Sequence, residues 1–255
     1  MNHTPPSDET ETPTQDAVLG GRVRLLQPAR GYRAGLDAAL LAAACDAGDG
    51  ARVLEAGCGA GGALLAAAVR RPLARFVGVE RDPAALALAT RNIALNDLGD
   101  QVDAVAGDVA QPFARLGLSP FDAAMANPPF FDDPTALRAP APAKRGAWMA
   151  DDGLAAWTGF LSKAVRPGGT LTLIHRADRL ADILALLAPK AGSFQVRPIH
   201  PFADAPAKRV LVRAVKTGKA PLQLLPALIL HPRGETRHTD ETEAILRGQA
   251  DLPWR

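Results

Sequence analysis

Four consecutive residues, Asn127-Pro128-Pro129-Phe130, carry the clearest chemical signal in this chain. The asparagine side-chain oxygen and the carbonyl of the following proline are two acceptors with no backbone donor competing nearby, because proline has no N–H and its ring fixes φ. Such a pair suits a planar NH2 group. If each acceptor takes one N–H, the nitrogen is drawn toward tetrahedral geometry and its lone pair is aimed at an electrophile. Phe130 adds a flat apolar face for the ring that bears the amine. Asn127, Pro128 and Phe130 are thus candidate catalytic residues. A strand ending in a proline-rich turn has the same local appearance, so the surrounding elements have to decide.

Those elements point to a ligand edge. The apolar run Phe121–Ala126 predicts a short buried strand, which puts the tetrapeptide just past a strand's C-terminal end, where ligands bind in open α/β sheets. Upstream, residues 51–56 predict a buried strand, Gly57-Cys58-Gly59-Ala60-Gly61-Gly62 a tight turn, and residues 63–69 the opening of a helix. A second strand, residues 74–80, ends on Glu80, about twenty residues after the turn, the spacing at which a ribose is held. Gly57, Gly59 and Gly61 let the backbone approach a ligand, and Glu80 can accept from two ribose hydroxyls. Glu55 would repel a pyrophosphate but not an ammonium or a sulfonium. S-adenosylmethionine therefore fits this turn better than NAD; a plain charge at a strand end is the other reading of Glu55.

Further candidates follow in order. Asp82 and Pro83 start a helix reaching Asn96. After a third strand, residues 102–106, Asp108 can accept from an adenine amino group while Val109 packs on the ring; an Asx turn is the alternative for Asp108. Asp37 is placed either as the N-cap of a helix over residues 38–46 or above a ligand pocket. Residues 131–152 have no periodicity and contain Arg138, Lys144, Arg145 and Trp148. Pro129, Phe131, Lys144 and Arg145 are candidate contacts to a nucleic acid, with a solvated loop as the alternative. A helix over 153–165, a turn at Arg166-Pro167-Gly168-Gly169, a strand over 170–175 and a helix over 179–187 come next. His175 reads as packing. Strands over 194–199 and 209–215 form a final hairpin, and Asp240 is placed as the cap of a short helix over 241–247.

Composition sets the outer bounds. The chain has 255 residues, 47% hydrophobic and 22% charged, with no run near the ~20 apolar residues of a membrane span. Residues 1–18 predict a disordered acidic tail and residues 19–255 a single domain with an N-terminal strand and helix and a C-terminal strand–helix extension. Four acids and no Lys or Arg lie in the first twenty residues. This leaves 29 basic against 23 acidic residues elsewhere, a net +6 that permits a polyanionic partner. The start of the chain lacks a signal peptide pattern. The two cysteines, Cys45 and Cys58, show no metal-ligand spacing and fit a reducing cytoplasm; no metal is expected.

Taken in order, Glu55-x-Gly57-x-Gly59-x-Gly61, Glu80, Gly107-Asp108 and Asn127-Pro128-Pro129-Phe130 resemble a class I S-adenosylmethionine-dependent methyltransferase of the amino-methylating branch. The flanks, Gln27-Pro28 through Gly31-Tyr32-Arg33, Gly35, Asp37 and Leu40-Leu41, and the tail Pro226 to His231 before Glu243 to Gly248, are similar to the valine tRNA adenine N6-methyltransferase group. The resemblance implies a Rossmann-like fold: a mostly parallel seven-stranded sheet with an antiparallel last strand and helices on both faces. It implies S-adenosylmethionine held by Asp37, Glu55, Gly57, Gly59, Gly61, Glu80, Asp108, Val109 and Asn127, and a tRNA partner in the cytoplasm. An rRNA guanine N2-methyltransferase, a protein glutamine N5-methyltransferase and a non-catalytic RNA-interaction domain stay open, as does monomer against homodimer.

Overall fold

The computed structural model describes residues 12–30, 33–129 and 152–254. The chain opens with strands β1 (Thr14–Val18) and β2 (Val23–Gln27) and helix α1 (Leu36–Ala43). The alternating part follows: β3 (Arg52–Ala56), α2 (Gly62–Arg70), β4 (Arg75–Glu80), α3 (Pro83–Leu95), β5 (Val102–Ala106) and β6 (Phe121–Ala126). Then come α4 (Asp152–Ala164), β7 (Val165–Arg176), α5 (Leu180–Leu187), β8 (Ala191–His200) and β9 (Arg209–Lys216). Two short strands, β10 (Gln223–Leu224) and β11 (Leu228–Ile229), precede α6 (Asp240–Leu246).

Seven long strands lie in the order β8-β9-β7-β6-β3-β4-β5, parallel throughout except for β9, which runs antiparallel to both neighbours. This is the expected Rossmann-like arrangement. The two-residue strands β10 and β11 both add to β8 and bring the sheet to nine. From β3 the chain steps outward to β4 and β5, then returns to β6 on the other side. The β3/β6 pair is therefore the switch point, where parallel sheets open a ligand crevice at their C-terminal ends.

Alternation along the strands builds two cores, because successive side chains point to opposite faces and a parallel sheet is covered on both. Val53, Met125 and Ile174 join α1 and α2 through Leu40, Leu41, Leu64 and Leu65 on one face. Leu54, Ala124 and Leu173 join α4 and α5 through Trp157, Phe160, Leu161, Ile183 and Leu187 on the other.

The structure departs from the sequence-based expectation at four places. Residues 14–18, assigned to a disordered tail, form β1, paired with β2 from Thr14↔Gln27 to Val18↔Val23. The hairpin is held by polar contacts, Gln27 Nε2 and Arg33 Nη2 both donating to Asp16 Oδ2, and β1 is mostly exposed, so it has no apolar period. Asp37 is not a cap: α1 starts at Leu36 after Gly35, and Asp37 instead pairs with Arg209 at 2.9 Å, a stronger, charge-assisted partner than a backbone amide. The sequence Arg166-Pro167-Gly168-Gly169 does not end an element but bulges inside β7, where Phe121 faces Val165 and Ala123 already faces Thr170. Lastly, α6 is capped by Thr239 in place of Asp240, the Thr239 Oγ1 accepting from the Thr242 amide at 3.2 Å and donating to the Ile229 carbonyl at 2.8 Å. Thr239→Ala is accordingly expected to cost about 1 kcal/mol in denaturant unfolding, and Asp240→Ala clearly less. Equal costs would return the cap to Asp240.

The C-terminal segment is strapped across the α1–α2 face. Trp254 Nε1 donates to the Ala44 carbonyl at 2.8 Å and the Leu252 amide to the Ala43 carbonyl at 3.0 Å. The Arg70 guanidinium, with its side chain only 3% exposed, reaches the Ala250 and Ile245 carbonyls and Asp251, which Arg71 also engages. On the sheet side, Arg197 donates to the carbonyls of Pro226 and Pro253. Among the described residues no helix is long and apolar enough to cross a membrane.

Candidate active site

The turn after β3 is built by backbone. The Gly57 and Cys58 amides donate to the Val79 carbonyl at 2.7 and 3.1 Å, folding the turn back over the end of β4, and Gly61, left-handed at φ 90°, is the N-cap of α2. Gly57 has φ 65°, and a Cβ placed on it would lie 2.2 Å from Cη2 of Trp157. Only a glycine fits beneath that indole. Gly59, at φ 55°, has no described residue within 4 Å of its Cβ position, so among the described residues it borders open space where a ligand can approach. Cys58 packs with Leu64 over Gly78, and burial pushes its thiol far up, so it fills space as an inert group.

Two acids sit under this turn. Glu80, at the end of β4, accepts from the Arg81 and Asp82 amides through Oε1, both at 2.8 Å, and from the Gly59 amide through Oε2 at 2.9 Å. A carboxylate has about four acceptor positions. Backbone takes three here, leaving one on Oε2 where the sequence suggested two ribose contacts. Glu55 is 3% exposed, and its Oε2 has no hydrogen-bond partner among the described residues. Burial, and next the Glu80 charge, push its pKa well above the ordinary 4.5, against a smaller opposing effect of the Leu64 amide. Folding thus favours the protonated acid. That contribution is complete below the unfolded value and is lost as pH rises through the raised one, so the ligand-free protein is expected to weaken on the alkaline side. Glu55→Gln should flatten that alkaline decline in a denaturant-midpoint series against pH.

An open cleft of about 630 Å³ adjoins Glu80, lined by Arg81, Asp82, Pro83, Ala106, Gly107 and Asp108. The Asp108 Oδ1 accepts from the Ala110 amide at 2.9 Å, so the Asx turn exists, and the residue still lines the cleft. Val109 is partly buried against the second core.

Asn127 follows β6 directly. Ala126 pairs with Ala56, so residues 127 and 57 leave adjacent strands at the same level, about 4.8 Å apart across the sheet. Pro128 is buried and Pro129 half-buried. On the other flank of β6, Ala126 pairs with Leu173, which brings His175 to the same edge. Burial, followed by the charges of Arg179, Arg176 and Arg209, lowers His175 to about 4, so its imidazole is neutral at physiological pH. Asp37 stands at this edge too, but two strands from Asn127 and already paired with Arg209. The structure thus gathers Glu55, Gly57, Gly59, Gly61, Glu80, Asp108, Val109, Asn127, Pro128 and Pro129 at one sheet edge. Phe130, Phe131, Lys144 and Arg145 lie outside the described residues. Among the described residues no group of three or more His, Cys, Asp or Glu side chains is placed to hold a metal.

Two residues at this site were missed in the sequence. Trp157 lies within the helix expected over 153–165 and was assigned no part in the site. Asn92, on α3 and 0% exposed, donates to the carbonyls of Leu26 at 2.8 Å and Ala60 at 2.9 Å and accepts from the Leu26 amide at 2.7 Å. It ties the N-terminal hairpin to the glycine turn. A signal existed: Asn is a poor helix-interior residue, so Asn92 inside an Ala-rich helix calls for a tertiary role.

The methyltransferase small domain model matches residues 33–139. A tRNA1(Val) (adenine(37)-N6)-methyltransferase of Porphyromonas gingivalis is 30% identical over 185 residues, covering 70% of this chain and 72% of that protein. The chain belongs to the class I S-adenosylmethionine-dependent methyltransferases. A release factor glutamine methyltransferase of Gloeobacter violaceus is 32% identical over 172 residues, 62% of this chain, and the match spans 57% of that relative's length. The crystal structure of a predicted O-methyltransferase from Agrobacterium tumefaciens superposes with a TM-score of 0.70 at 27% identity, covering 85% of this chain and 98% of that one. The cofactor of a class I methyltransferase is S-adenosylmethionine, and the residues present fit it. A buried carboxylate with one oxygen unpartnered among the described residues suits a cationic ligand, Gly59 leaves room for it, and the cleft beyond Glu80 continues the same edge.

Proposed function

We propose that this methyltransferase acts on an exocyclic amino group, adenine N6 of a tRNA before other acceptors, in the cytoplasm. The observation that carries this reading is the placement of Asn127-Pro128 and Gly57 at the ends of adjacent strands, at one level. When bound, S-adenosylmethionine supplies a methyl group on a positively charged sulfur. The chain's part is orientation. The Asn127 side-chain oxygen and the Pro128 carbonyl accept the two N–H groups of the amine, which localises its lone pair. Proximity does most of the remaining work. No general base is required, since the amine loses its proton after it has been methylated, and the nearby His175 is buried and neutral. A base must leave its stack to reach this loop, at a cost of a few kcal/mol. The Porphyromonas gingivalis relative, named for adenine N6 in a tRNA, supports this acceptor.

A glutamine carboxamide is the second reading. It presents a planar NH2 to the same two acceptors, and the Gloeobacter violaceus relative is named for that reaction. The deciding experiment is transfer of tritium from labelled S-adenosylmethionine into total tRNA, rRNA and protein of a strain lacking the gene, with digestion to nucleosides and amino acids. Label recovered as N6-methyladenosine in tRNA supports the proposal. Label as N5-methylglutamine keeps the amine geometry and replaces the acceptor, and label on a hydroxyl overturns both.

A further inference from the structure

Glu55 and Glu80 form a buried pair of acids, and among the described residues no cation acts on Glu55. β4 contributes the Glu80 carboxylate, and across the strand pairs Glu55 is flanked by Gly78 and Met125, neither of which ionises. The turn contributes the Cys58 thiol and α2 only the Leu64 amide; the arginine of α2, Arg70, is at its far end and bound to Asp251. The one ionisable side chain of α1, Asp37, is neutralised by Arg209. Glu80 is fixed as an acceptor by three backbone amides. Glu55 Oε2 has no such donor. Burial and the Glu80 charge outweigh the single Leu64 amide that Glu55 accepts from, so Glu55 keeps the proton.

We propose that Glu55 is protonated in the cofactor-free site and releases that proton when S-adenosylmethionine binds, so that the site discriminates the sulfonium cofactor from its thioether product by charge. The ammonium of the cofactor travels with its own carboxylate and is common to both molecules. The sulfonium is the net charge that differs. A site with an ionised Glu55 suits the first, and a site with a neutral Glu55 suits the second. No bond is made or broken at Glu55 beyond the O–H: one proton leaves to solvent as the cation arrives and returns when the uncharged sulfur remains. This inference rests on the cofactor alone and is independent of the acceptor, so failure of the tRNA labelling leaves it intact.

The test is isothermal calorimetry of the purified, cofactor-free protein with S-adenosylmethionine and with S-adenosylhomocysteine, in buffers of different ionisation enthalpy between pH 6 and 9. Release of close to one proton with S-adenosylmethionine and markedly less with S-adenosylhomocysteine is expected. The ratio of their affinities should move toward S-adenosylmethionine by up to about tenfold per pH unit until Glu55 is ionised throughout. E55Q should show no release with either and a flat ratio. The wild-type proton count decides the matter even if E55Q folds poorly. Equal release with the two ligands, no release with S-adenosylmethionine, or unchanged release in E55Q overturns the proposal.

Discussion

Asn127→Ala should lower kcat by about 10²-fold or more while leaving cofactor affinity intact, because it removes one of the two acceptors that hold the amine and leaves the residues of the glycine turn and Glu80 unchanged. The size follows from what is lost. With only the Pro128 carbonyl remaining, the NH2 group can rotate, its lone pair returns to conjugation with the ring or carbonyl, and the reactive arrangement becomes a minor one. Asn127→Asp separates this role from a merely structural one. The carboxylate still accepts an N–H, so the variant should recover much of the turnover that alanine loses. Steady-state kinetics with a tRNA acceptor, paired with calorimetric cofactor binding, provides the check. A parallel loss of binding and turnover in Asn127→Ala would show that the residue supports the site in general and does not orient an amine.

Gly57→Ala is expected to be the most damaging single methyl in the molecule. Two independent penalties meet there. At φ 65° an alanine is strained by about 1 to 2 kcal/mol. Its Cβ would also stand 2.2 Å from the Trp157 ring, an overlap the buried indole can relieve only by moving α4 or the turn. Overpacking of this kind costs about 1 to 3 kcal/mol, for a total near 3. Movement of the turn would also disturb the Gly59–Glu80 contact, so cofactor binding should fall together with stability. In a Trp157→Leu background the steric part disappears and the backbone part remains. Gly57→Ala should then cost about 1 to 2 kcal/mol, measured by denaturant unfolding as a double-mutant cycle. The same cost in both backgrounds would exclude the indole as the cause.

The parts of this site that were legible in the sequence are those set by local spacing. The glycines, the acid ending the second strand and the proline pair are each fixed by a strand and the turn after it, so a few neighbouring residues carry the whole message. The α/β class was legible for the same reason, since apolar runs alternate with helix-forming runs, whereas the mostly parallel seven-stranded sheet with an antiparallel last strand came from the family resemblance. What escaped was held by distant partners. β1 is exposed and polar, and its strand character comes from pairing with β2 and from Asp16 meeting Gln27 and Arg33. Asp37 reads as a cap until Arg209, 172 residues away, claims it. Gly57 reads as a flexible turn residue, whereas its Cβ is forbidden by a tryptophan from the far side of the sheet. Asn92 is silent until the Leu26 and Ala60 backbones arrive on either side of it. The two ionisation shifts with the most consequence, at Glu55 and His175, depend on burial, which no spacing encodes.

The strap formed by residues 245–254 also bears on how the protein is made. Its anchors join residues far apart in the chain, Trp254 to Ala44 across 210 positions and Arg70 to Ile245 across 175. At a translation rate of about 5 to 20 residues per second, α1 waits on the order of 10 to 40 s on the ribosome before its covering segment has been synthesised. During that interval the apolar surface of α1 and α2, together with the Arg70 guanidinium meant for those carbonyls, stays open to water and to nascent-chain chaperones. Consolidation of the face that carries the glycine turn therefore waits until residues 245–254 have emerged. Pulse proteolysis of stalled nascent chains should find the turn cleavable until residue 254 has cleared the exit tunnel.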